Sequence, residues 1–570
     1  MAVRRDQHDR DRARFAAELR LGATAPLVAD LSICLAYPNV YPVAMANLGF
    51  QAVVDLLARH RVAVDRAFLP DADPGLRVLS FERELPLDTF PILAFSISFE
   101  ADYVHVLDML AAAGLPLRAA DRDARHPLIV AGGPATFLNP EPLAPFVDLF
   151  LIGEAEEMVP EWLAVLRQAG GAEAGRDALL EASASVEGAY APALHRPEGL
   201  GLENGFRVRR RWIGRLDDHP TQTRILTDEA VFGDMMLVEA SRGCEWGCRF
   251  CAAGFMYRPV RHRSAESLRK TVFDDALPYR KTVGLVGAEM ASQPGIAALC
   301  REISDQGGRA SPSSLKADLI SPELANALGA GRTRSVTVAP EAGSERLRRV
   351  LNKNLTEEEI LRAAELVAGG GVKALKLYSM IGLPTETEAD VTAIADLAGR
   401  IRERLPGGVG RILLSINPFV PKPWTPFQWE PMAPIGVLRE RVKHLRRLVG
   451  RIPGARVDIE SPRDAYWQTL LSRGDRRVGD IIEEVHRAGG RHWPILRERE
   501  HAHRANSGKD HVPPPSFWVE RRIPLDEILP WEFIDHGIDK RYLQTEWRKA
   551  KLERETAPCD VATCHACSAC

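Results

Sequence analysis

Three cysteines lie close together near the middle of the sequence. Cys244, Cys248 and Cys251 follow the spacing C-x3-C-x2-C. A 4Fe–4S cluster needs four ligands, so three thiolates would leave one iron open to a ligand from outside the protein. Zinc is the alternative, but a structural zinc site closes with four protein ligands and no histidine lies within this loop. The triplet therefore predicts an iron–sulfur cluster with one reactive iron.

A second group of cysteines ends the sequence. Residues 559–570 contain four cysteines and His565. Four thiolates can complete either a zinc site or a second iron–sulfur cluster, and an unligated tail is the third interpretation. Clustered cysteines in an intracellular enzyme favour metal binding over disulfides. The predicted ligands are Cys559, Cys564, Cys567 and Cys570.

Short apolar segments alternate with helical segments through residues 29–206. Runs such as 92–98 and 148–153 indicate strands, and the rhythm predicts a Rossmann-like, doubly wound parallel sheet. Such sheets bind ligands at the carboxyl ends of their strands. Tight turns between strand and helix would explain the glycines at these ends equally well. The candidate binding residues there are Ser96, Ser98, Glu100, Gly132, Gly133, Gly153 and Glu154.

A second series of strands surrounds the cysteine loop. Six strand-like segments, the first at residues 235–239, alternate with helical runs through residues 229–432, which predicts a partial (β/α)6 barrel. Barrels of this kind carry their reactive groups at the carboxyl ends of the strands, where the cysteine loop also lies. For each lone residue, a helix cap or a surface ion pair is the alternative role. The candidates at the other strand ends are Glu289, Ser313, Lys316, Glu341 and Gly382.

The remaining segments have simpler patterns. Residues 1–28 form a charged helical arm, residues 207–228 a polar linker, and residues 433–556 a helical domain before the tail at 557–570. The segment 417–429 is rich in proline and aromatic residues, so it cannot form a helix interior. We expect that segment to cross the barrel mouth, with a plug at the barrel base as the alternative.

Composition argues against several classes of protein. Lys plus Arg (74) nearly balances Asp plus Glu (77), so no global field requires a nucleic-acid or anionic-membrane partner. No run of 18 apolar residues is present, and the first ten residues lack the apolar core of a signal peptide. These features predict a cytoplasmic enzyme of several domains.

The motifs together resemble radical SAM proteins with an N-terminal B12-binding domain, where SAM is S-adenosylmethionine. The resemblance rests on the cysteine loop and continues to the terminal cysteines, so it covers nearly the whole chain. One departure is that no Asp-x-His-x-x-Gly motif is present. The other motifs that carry the resemblance are residues 37–41, 47–50, 95–98, 132–134, 153–156, 258–264, 421–429 and 529–531.

This resemblance implies three cofactors. The cysteine triplet would hold a 4Fe–4S cluster, and the barrel strand ends named above would contact SAM, with Glu289 where the family often carries Gly-Gly-Glu. The candidates of residues 29–206 would contact cobalamin above the SAM site. Cobalamin would be base-off, without a histidine from the missing motif. A relic domain that no longer binds cobalamin is the alternative.

The resemblance also implies a reaction class. Reductive cleavage of SAM would generate a 5′-deoxyadenosyl radical, and cobalamin-dependent methylation or a related transformation of an unactivated carbon would follow. A B12-independent outcome, such as methylthiolation, oxidation or rearrangement, is the alternative enzyme. Outside enzymology, a metal-binding RNA-associated protein could use the basic run 207–215, although a solvated linker explains that run more simply. An electron donor such as flavodoxin or ferredoxin is the expected partner.

Overall fold

The computed structural model describes residues 2–71, 76–196, 205–405, 410–505, 512–561, 563–564 and 566–569. Cys570 and His565 therefore lie outside the described residues. Two parallel sheets, one in each half of the chain, organise the described part, and helices cover both of them. In this part of the chain, no helix combines the length and the apolar character needed to cross a membrane.

The first sheet has six strands in the spatial order β2-β1-β3-β4-β5-β6. The first five are parallel, and the sixth pairs antiparallel with its neighbour. The order of the strands reverses at β1, since β2 lies on one side of it and β3 to β5 on the other, and doubly wound sheets bind ligands at such a switch point. The strands are β1 Ser32–Val40, β2 Ala63–Leu69, β3 Ile92–Ser96, β4 Leu128–Gly132, β5 Leu149–Leu151 and β6 Ala189–Tyr190.

Helices pack on both faces of this sheet. Alternate residues of β1 point to opposite faces: Ile33 and Leu35 join one apolar core, and Cys34 and Ala36 join the other. The predicted doubly wound sheet is therefore confirmed. The principal helices of this half are Leu48–Arg59, Tyr103–Ala112, Pro134–Leu138, Ala155–Gln168 and Arg176–Ala184.

The second sheet consists of a three-stranded and a four-stranded part, both parallel. An isolated parallel bridge between Leu315 and Val338 connects the two parts. The first and last strands do not pair within the described chain, so the barrel is partial, as predicted. The strands are β7 Met235–Glu239, β8 Thr282–Val286, β9 Arg309–Pro312, β10 Ser335–Glu341, β11 Ala374–Ile381, β12 Arg411–Pro418 and β13 Ala455–Ile459.

Strand β13 corrects the sequence prediction, which placed residues 433–556 in a wholly helical domain. Its five residues pair with β12 in parallel and extend the barrel to seven strands. The helical runs predicted between the strands are present, and Thr356 begins one of them with a capping box to Glu359. These helices are Ala265–Lys270, Ile296–Asp305, Pro322–Ala330, Glu345–Leu351, Glu357–Gly369 and Glu388–Arg404.

The segment 207–228 was predicted as a linker, but it is built into the structure. Val208–Arg209 pairs with Ile534–Asp535, and Ile225–Leu226 pairs with Leu19–Arg20 behind the first helix, Ala2–Ala17. Backbone pairing at both ends gives the segment a fixed path between the two halves. The C-terminal helices are Ile435–Val449, Pro462–Arg473, Val478–Arg487, His492–Ala505, Pro515–Val519 and Lys540–Lys551.

Candidate active site

A cavity of about 500 Å³ lies between the carboxyl ends of the two sheets. Such a volume is typical of small-molecule and cofactor sites. The first sheet contributes the ends of β3, β4 and β5, and the second contributes the ends of β7 and β8. The two sets of strand ends therefore face one another across a single space. The lining includes Ser96, Ser98, Gly132, Gly133, Gly153 and Glu154 on one side, and Glu239, Arg242, Gly243, Ala253, Tyr257 and Gly287 on the other.

The cysteine loop begins directly after β7, at the edge of this cavity. A two-residue strand pair, Ser241–Arg242 with Arg261–His262, holds the two ends of the loop together. Gly243 has φ of 79°, and a Cβ there would lie 2.6 Å from the carbonyl oxygen of Tyr257. Only glycine fits this position, because a side chain would collide with backbone that cannot move aside.

The three thiols of the loop share one buried environment. Burial raises the pKa of Cys244, and the nearby sulfurs of Cys248 and Cys251 raise it further. Burial also raises the pKa of Cys248 to about 11, although Lys353 opposes this change. Thiolates here would therefore need a cationic partner, which a metal cluster provides.

Charged side chains surround the thiols. Lys353 lies 3.4 Å from a carboxylate oxygen of Glu341. Burial lowers the pKa of Lys353, but the charges of Glu341 and of two of the cysteines outweigh it and raise the pKa overall. The ammonium group of Lys316 lies 3.9 Å from the ring centroid of Trp246, inside the loop. Two of the five predicted SAM residues, Glu341 and Lys316, thus lie beside the cysteine loop.

The other three predicted SAM residues hold backbone turns. Both oxygens of the Glu289 carboxylate accept hydrogen bonds from backbone N–H groups, at Ala291 (2.6 Å), Ser292 (2.7 Å) and Lys316 (3.1 Å). The Ser313 hydroxyl donates to the carbonyl oxygen of Gly287 at 2.7 Å. The N–H of Gly382 donates to the Glu386 carboxylate at 3.0 Å. Their contacts shape the strand ends, and direct SAM contact by these residues remains a prediction.

Glu154 has a different environment from a free ligand-binding carboxylate. Its two oxygens accept hydrogen bonds from Arg261 at 2.7 and 2.8 Å, and Arg242 lies 3.1 Å away. These arginines hold the pKa of the buried Glu154 carboxylate below its usual range, although burial alone would raise it. Glu154 therefore joins the first sheet to Arg242, which lies two residues before Cys244 at the start of the cysteine loop.

Two of the predicted glycines are explained by close backbone contact. A Cβ on Gly133 would lie 2.5 Å from the carbonyl oxygen of Ile97, and one on Gly153 would lie 2.4 Å from that of Arg211. Glu100 does not line the cavity. Its carboxylate pairs with Lys422 at 2.6 Å and accepts a hydrogen bond from Ser472 at 2.8 Å. This ion pair draws the side chain of Glu100 to the proline-rich segment, and its contact with cobalamin stays a prediction.

The tail runs against the cysteine loop. The N–H of Cys559 donates to the carbonyl oxygen of Glu245 at 2.8 Å, and Cys567 is buried. Among the described residues, no group of three or more His, Cys, Asp and Glu is arranged around a single metal ion. Cys570 lies outside the described residues, so the metal centre of the tail remains a prediction.

Sequence reasoning missed part of the cavity wall. Residues 218–222 line it, although they were assigned to a linker. Arg242 also lines it and bonds Glu239 as well as Glu154. The position of Arg242 between a strand and the first cysteine was the available signal. Arginines of the basic run 207–215 also have partners within the protein: Arg210 donates to the carbonyl oxygen of Arg258, and Arg211 pairs with Glu161.

Two family profiles match the sequence. The profile described as radical SAM proteins, N-terminal, matches residues 49–192, and that of the radical SAM superfamily matches residues 238–398. The first range covers most of the first sheet. The second covers the cysteine loop and the strands through β11. Most of the residues that line the cavity thus lie within the two matched ranges.

Relatives of known sequence extend this similarity. An uncharacterized protein of Methanocaldococcus jannaschii is 28% identical over 459 residues, which are 79% of this chain and 90% of that protein. An uncharacterized protein of Methanopyrus kandleri is 27% identical over 260 residues, 40% of this chain and 48% of that protein. The first similarity reaches beyond the two matched domains.

Solved structures with a similar fold include OxsB, a cobalamin-dependent SAM radical enzyme with aqua-cobalamin and SAM bound. OxsB is 13% identical, with 92% of this chain and 79% of OxsB covered and a TM-score of 0.50. The radical SAM methyltransferase TsrM from Kitasatospora setae, with cobalamin and a 4Fe–4S cluster bound, is 14% identical. There the coverage is 68% of this chain and 74% of TsrM, with a TM-score of 0.47. The similarity to OxsB extends the shared fold to nearly the whole chain.

Proposed function

We propose that this chain, which belongs to the radical SAM superfamily, is a cobalamin-dependent enzyme that methylates or otherwise transforms an unactivated carbon. The shared cavity carries the proposal. Its walls are the ends of two βα sheets, so a corrinoid on one sheet and SAM on the other would meet over one substrate. Direct transfer between two cofactors requires such a common space.

The residues around the cysteine loop fit a cluster with one open iron. Cys244, Cys248 and Cys251 supply three thiolates, while Lys353 and Lys316 place positive charge beside them. When bound, the cluster and SAM supply a 5′-deoxyadenosyl radical, and cobalamin supplies a methyl carrier or redox partner. The protein orients these groups and keeps water from the radical. A one-electron donor such as flavodoxin or ferredoxin is the proposed partner.

An apolar slot beside the first sheet fits part of a corrinoid. The cavity continues from the strand ends into the space between the sheet and the helices Leu48–Arg59 and Ala155–Gln168. Ala52, Leu56 and Trp162 line this slot, and Ser98 at its mouth accepts a hydrogen bond of 2.9 Å from Asn47. A long, largely apolar slot with a few polar groups suits the buried arm of a large cofactor. The similarity to OxsB supports the same assignment.

A B12-independent radical SAM enzyme is the second candidate. The observation that favours it is that contacts within the protein already explain three of the predicted residues. Arg261 pairs with Glu154, and neighbouring backbone leaves no room for a side chain at Gly133 or Gly153. Their presence therefore needs no corrinoid to explain it. The two candidates differ in one measurable property, the cobalamin content of the active enzyme.

Anaerobic reconstitution with iron, sulfide and cobalamin tests the proposal. We expect one bound cobalamin per chain and reductant-dependent formation of 5′-deoxyadenosine from SAM. Replacing Cys244, Cys248 and Cys251 together by alanine should abolish this cleavage, whereas Cys300→Ala should retain it, because Cys300 is buried in a helix away from the loop. Iron or zinc retained by the triple variant would indicate a metal site at the tail cysteines.

A slot-filling variant tests the cobalamin site separately. Ala52→Trp should exclude cobalamin while the iron content is retained, and Ala111→Trp, at an exposed position of helix Tyr103–Ala112, should bind cobalamin normally. SAM cleavage without bound cobalamin in the wild type would favour the second candidate. No SAM cleavage under any of these conditions would overturn both.

A further inference from the structure

The inner wall of the second sheet carries three cations below the strand ends. Side chains on β10, β11 and β12 alternate between buried positions that face the helices and more exposed positions that face the barrel interior. Lys376 is on the interior side and is in register with Leu413, which is in register with Arg456. Arg411 is two residues before Leu413 and faces the same way. The three cations therefore surround one patch of the wall.

These cations lack carboxylate partners, unlike most arginines of this chain. Within the described residues, no ion pair is formed by Lys376, Arg411 or Arg456, whereas Arg404 nearby pairs with both Glu358 and Glu365. The ammonium group of Lys376 lies 4.7 Å from the ring centroid of Tyr378, which holds it toward the interior. Arg411 and Arg456 are exposed.

The charge of the wall changes sign along the strands. Asp458 and Glu460 follow Arg456 on the same side of β13, toward the strand ends. An anion is therefore attracted to the lower half of the interior and repelled from the upper half. Lys376 lies four residues, or about 13 Å, before Met380, which is near the carboxyl end of β11. The cations thus lie about 13 Å along the strands from Met380, which shares an apolar cluster with Phe250 of the cysteine loop.

We propose that Lys376, Arg411 and Arg456 bind a phosphate group of the substrate; this inference rests on the proposed function, because it identifies the substrate class of that site. Two guanidinium groups can each grip phosphate oxygens bidentately, and the ammonium group adds a point charge. The substrate is an elongated phosphate ester whose reacting carbon lies about 13 Å from its phosphate. Tyr378, two residues after Lys376 on the same side of β11, provides apolar surface along the wall between the two ends.

The number of cations favours a small phosphate ester over a nucleic acid. Nucleic-acid sites commonly use about six to ten phosphate contacts spread along a surface. Here three cations converge on one patch, and the chain carries a net charge of −3. One phosphate or diphosphate group is the ligand that this patch can hold.

Calorimetric titration with pyrophosphate tests the site on the reconstituted enzyme. The double variant R411Q/R456Q should bind pyrophosphate at least about tenfold more weakly, because each lost guanidinium removes a charge-assisted contact. The matched control is K373Q/R334Q. It removes two cations at neighbouring positions directly before β11 and β10, and both of these positions alternate to the other side of the sheet. The control should keep the wild-type affinity.

Three results would overturn the inference: unchanged affinity in R411Q/R456Q, an equal loss in the control, or a wild type that does not bind pyrophosphate. A single-stranded RNA oligonucleotide is the competing ligand. If the wild type binds it with a salt dependence that corresponds to six or more phosphate contacts, and R411Q/R456Q does not bind it, RNA replaces the small ester as the ligand. If R411Q/R456Q does not fold, R411K/R456K replaces it: lysine keeps both charges but cannot contact phosphate bidentately, so this variant should bind pyrophosphate more weakly than the wild type. The titration requires neither SAM nor reductant, so its failure is distinguishable from failure of the radical chemistry.

Discussion

The side-chain amide of Asn352 donates a hydrogen bond of 3.2 Å to the carbonyl oxygen of Gly247, between the first two cysteines of the loop. Asn352 itself ends the helix Glu345–Leu351 with φ of 57°, a conformation that asparagine tolerates better than most residues. Its side-chain oxygen accepts the N–H of Thr556 at 2.7 Å. One buried side chain therefore ties the cysteine loop to the barrel and to the residue directly before the tail.

Replacing Asn352 by alanine should loosen the cysteine loop. The change leaves the buried carbonyl oxygen of Gly247 without this partner, at a cost of about 1–3 kcal/mol, and the half-buried N–H of Thr556 without its partner, at a smaller cost because water can reach it. We expect a lower iron content after reconstitution and slower SAM cleavage, measured per chain. The exposed Asn326, on helix Pro322–Ala330, gives the control Asn326→Ala, which should behave as wild type. Equal iron contents in the two variants would contradict this role of Asn352.

Replacing Glu154 by glutamine should destabilise the protein even when no cobalamin is present. The substitution leaves the buried Arg261 without its carboxylate, and breaking a buried ion pair costs about 3–5 kcal/mol. Urea unfolding of the cobalamin-free protein measures the change. Glu157→Gln is the control, because Glu157 is half exposed and its ion pair with Arg211 is long, at 4.0 Å. A variant that loses cobalamin but keeps wild-type stability would show that Glu154 serves the cofactor instead.

The ion pair of Glu100 and Lys422 should make the contact between the first sheet and the proline-rich segment sensitive to acid. Burial raises the pKa of Glu100, but the charge and hydrogen bond of Lys422 outweigh it, and the pKa lies below its usual value. A lowered pKa in the folded state means that the stabilisation is fully present above the unfolded pKa, about 4.3. The stabilisation is lost as the pH falls through the folded pKa.

Comparison of the wild type with Glu100→Gln measures this effect. The difference in unfolding free energy should be about 3 kcal/mol and constant between pH 7 and about 5.5, and it should shrink below about pH 4. Asp88→Asn is the control, because Asp88 is exposed and its ion pair with Arg77 is long, at 3.6 Å. A difference that is constant down to pH 3 would show that the charge of Glu100 is not responsible.

The sequence predicted the parts of the fold that depend on local pattern. The doubly wound sheet follows from the alternation of short apolar segments with helical segments. The cysteine spacing likewise indicated the cluster loop, because all three thiols lie in one short segment. Strand β13 was missed, since its alternation of Ala455, Val457 and Ile459 with charged residues is only five residues long.

Side-chain partners from distant segments were beyond sequence reasoning. Glu154 and Glu100 are both acidic residues at ends of the same sheet, yet one lines the cavity and the other does not. The difference arises from Arg261 and Lys422, which are 107 and 322 residues away in sequence. The cations of the inner wall were equally hidden, because Arg411 and Arg456 meet only through the pairing of β12 with a strand that was not predicted.

Gly132 and Gly133 allow the turn and the cofactor explanations of the predicted glycines to be separated. Gly133 has φ of 104°, and its Cβ would lie 2.5 Å from backbone, whereas the nearest atom to a Cβ on Gly132 is 3.5 Å away. Gly133→Ala should therefore lower the free energy of unfolding by about 2 kcal/mol or more with or without cobalamin, and Gly132→Ala should change it little. Because Gly132 lines the cavity, any effect of its methyl group should appear in cobalamin affinity, measured by titration of the reconstituted protein. Equal destabilisation by the two substitutions would show that the turn does not require glycine specifically at Gly133.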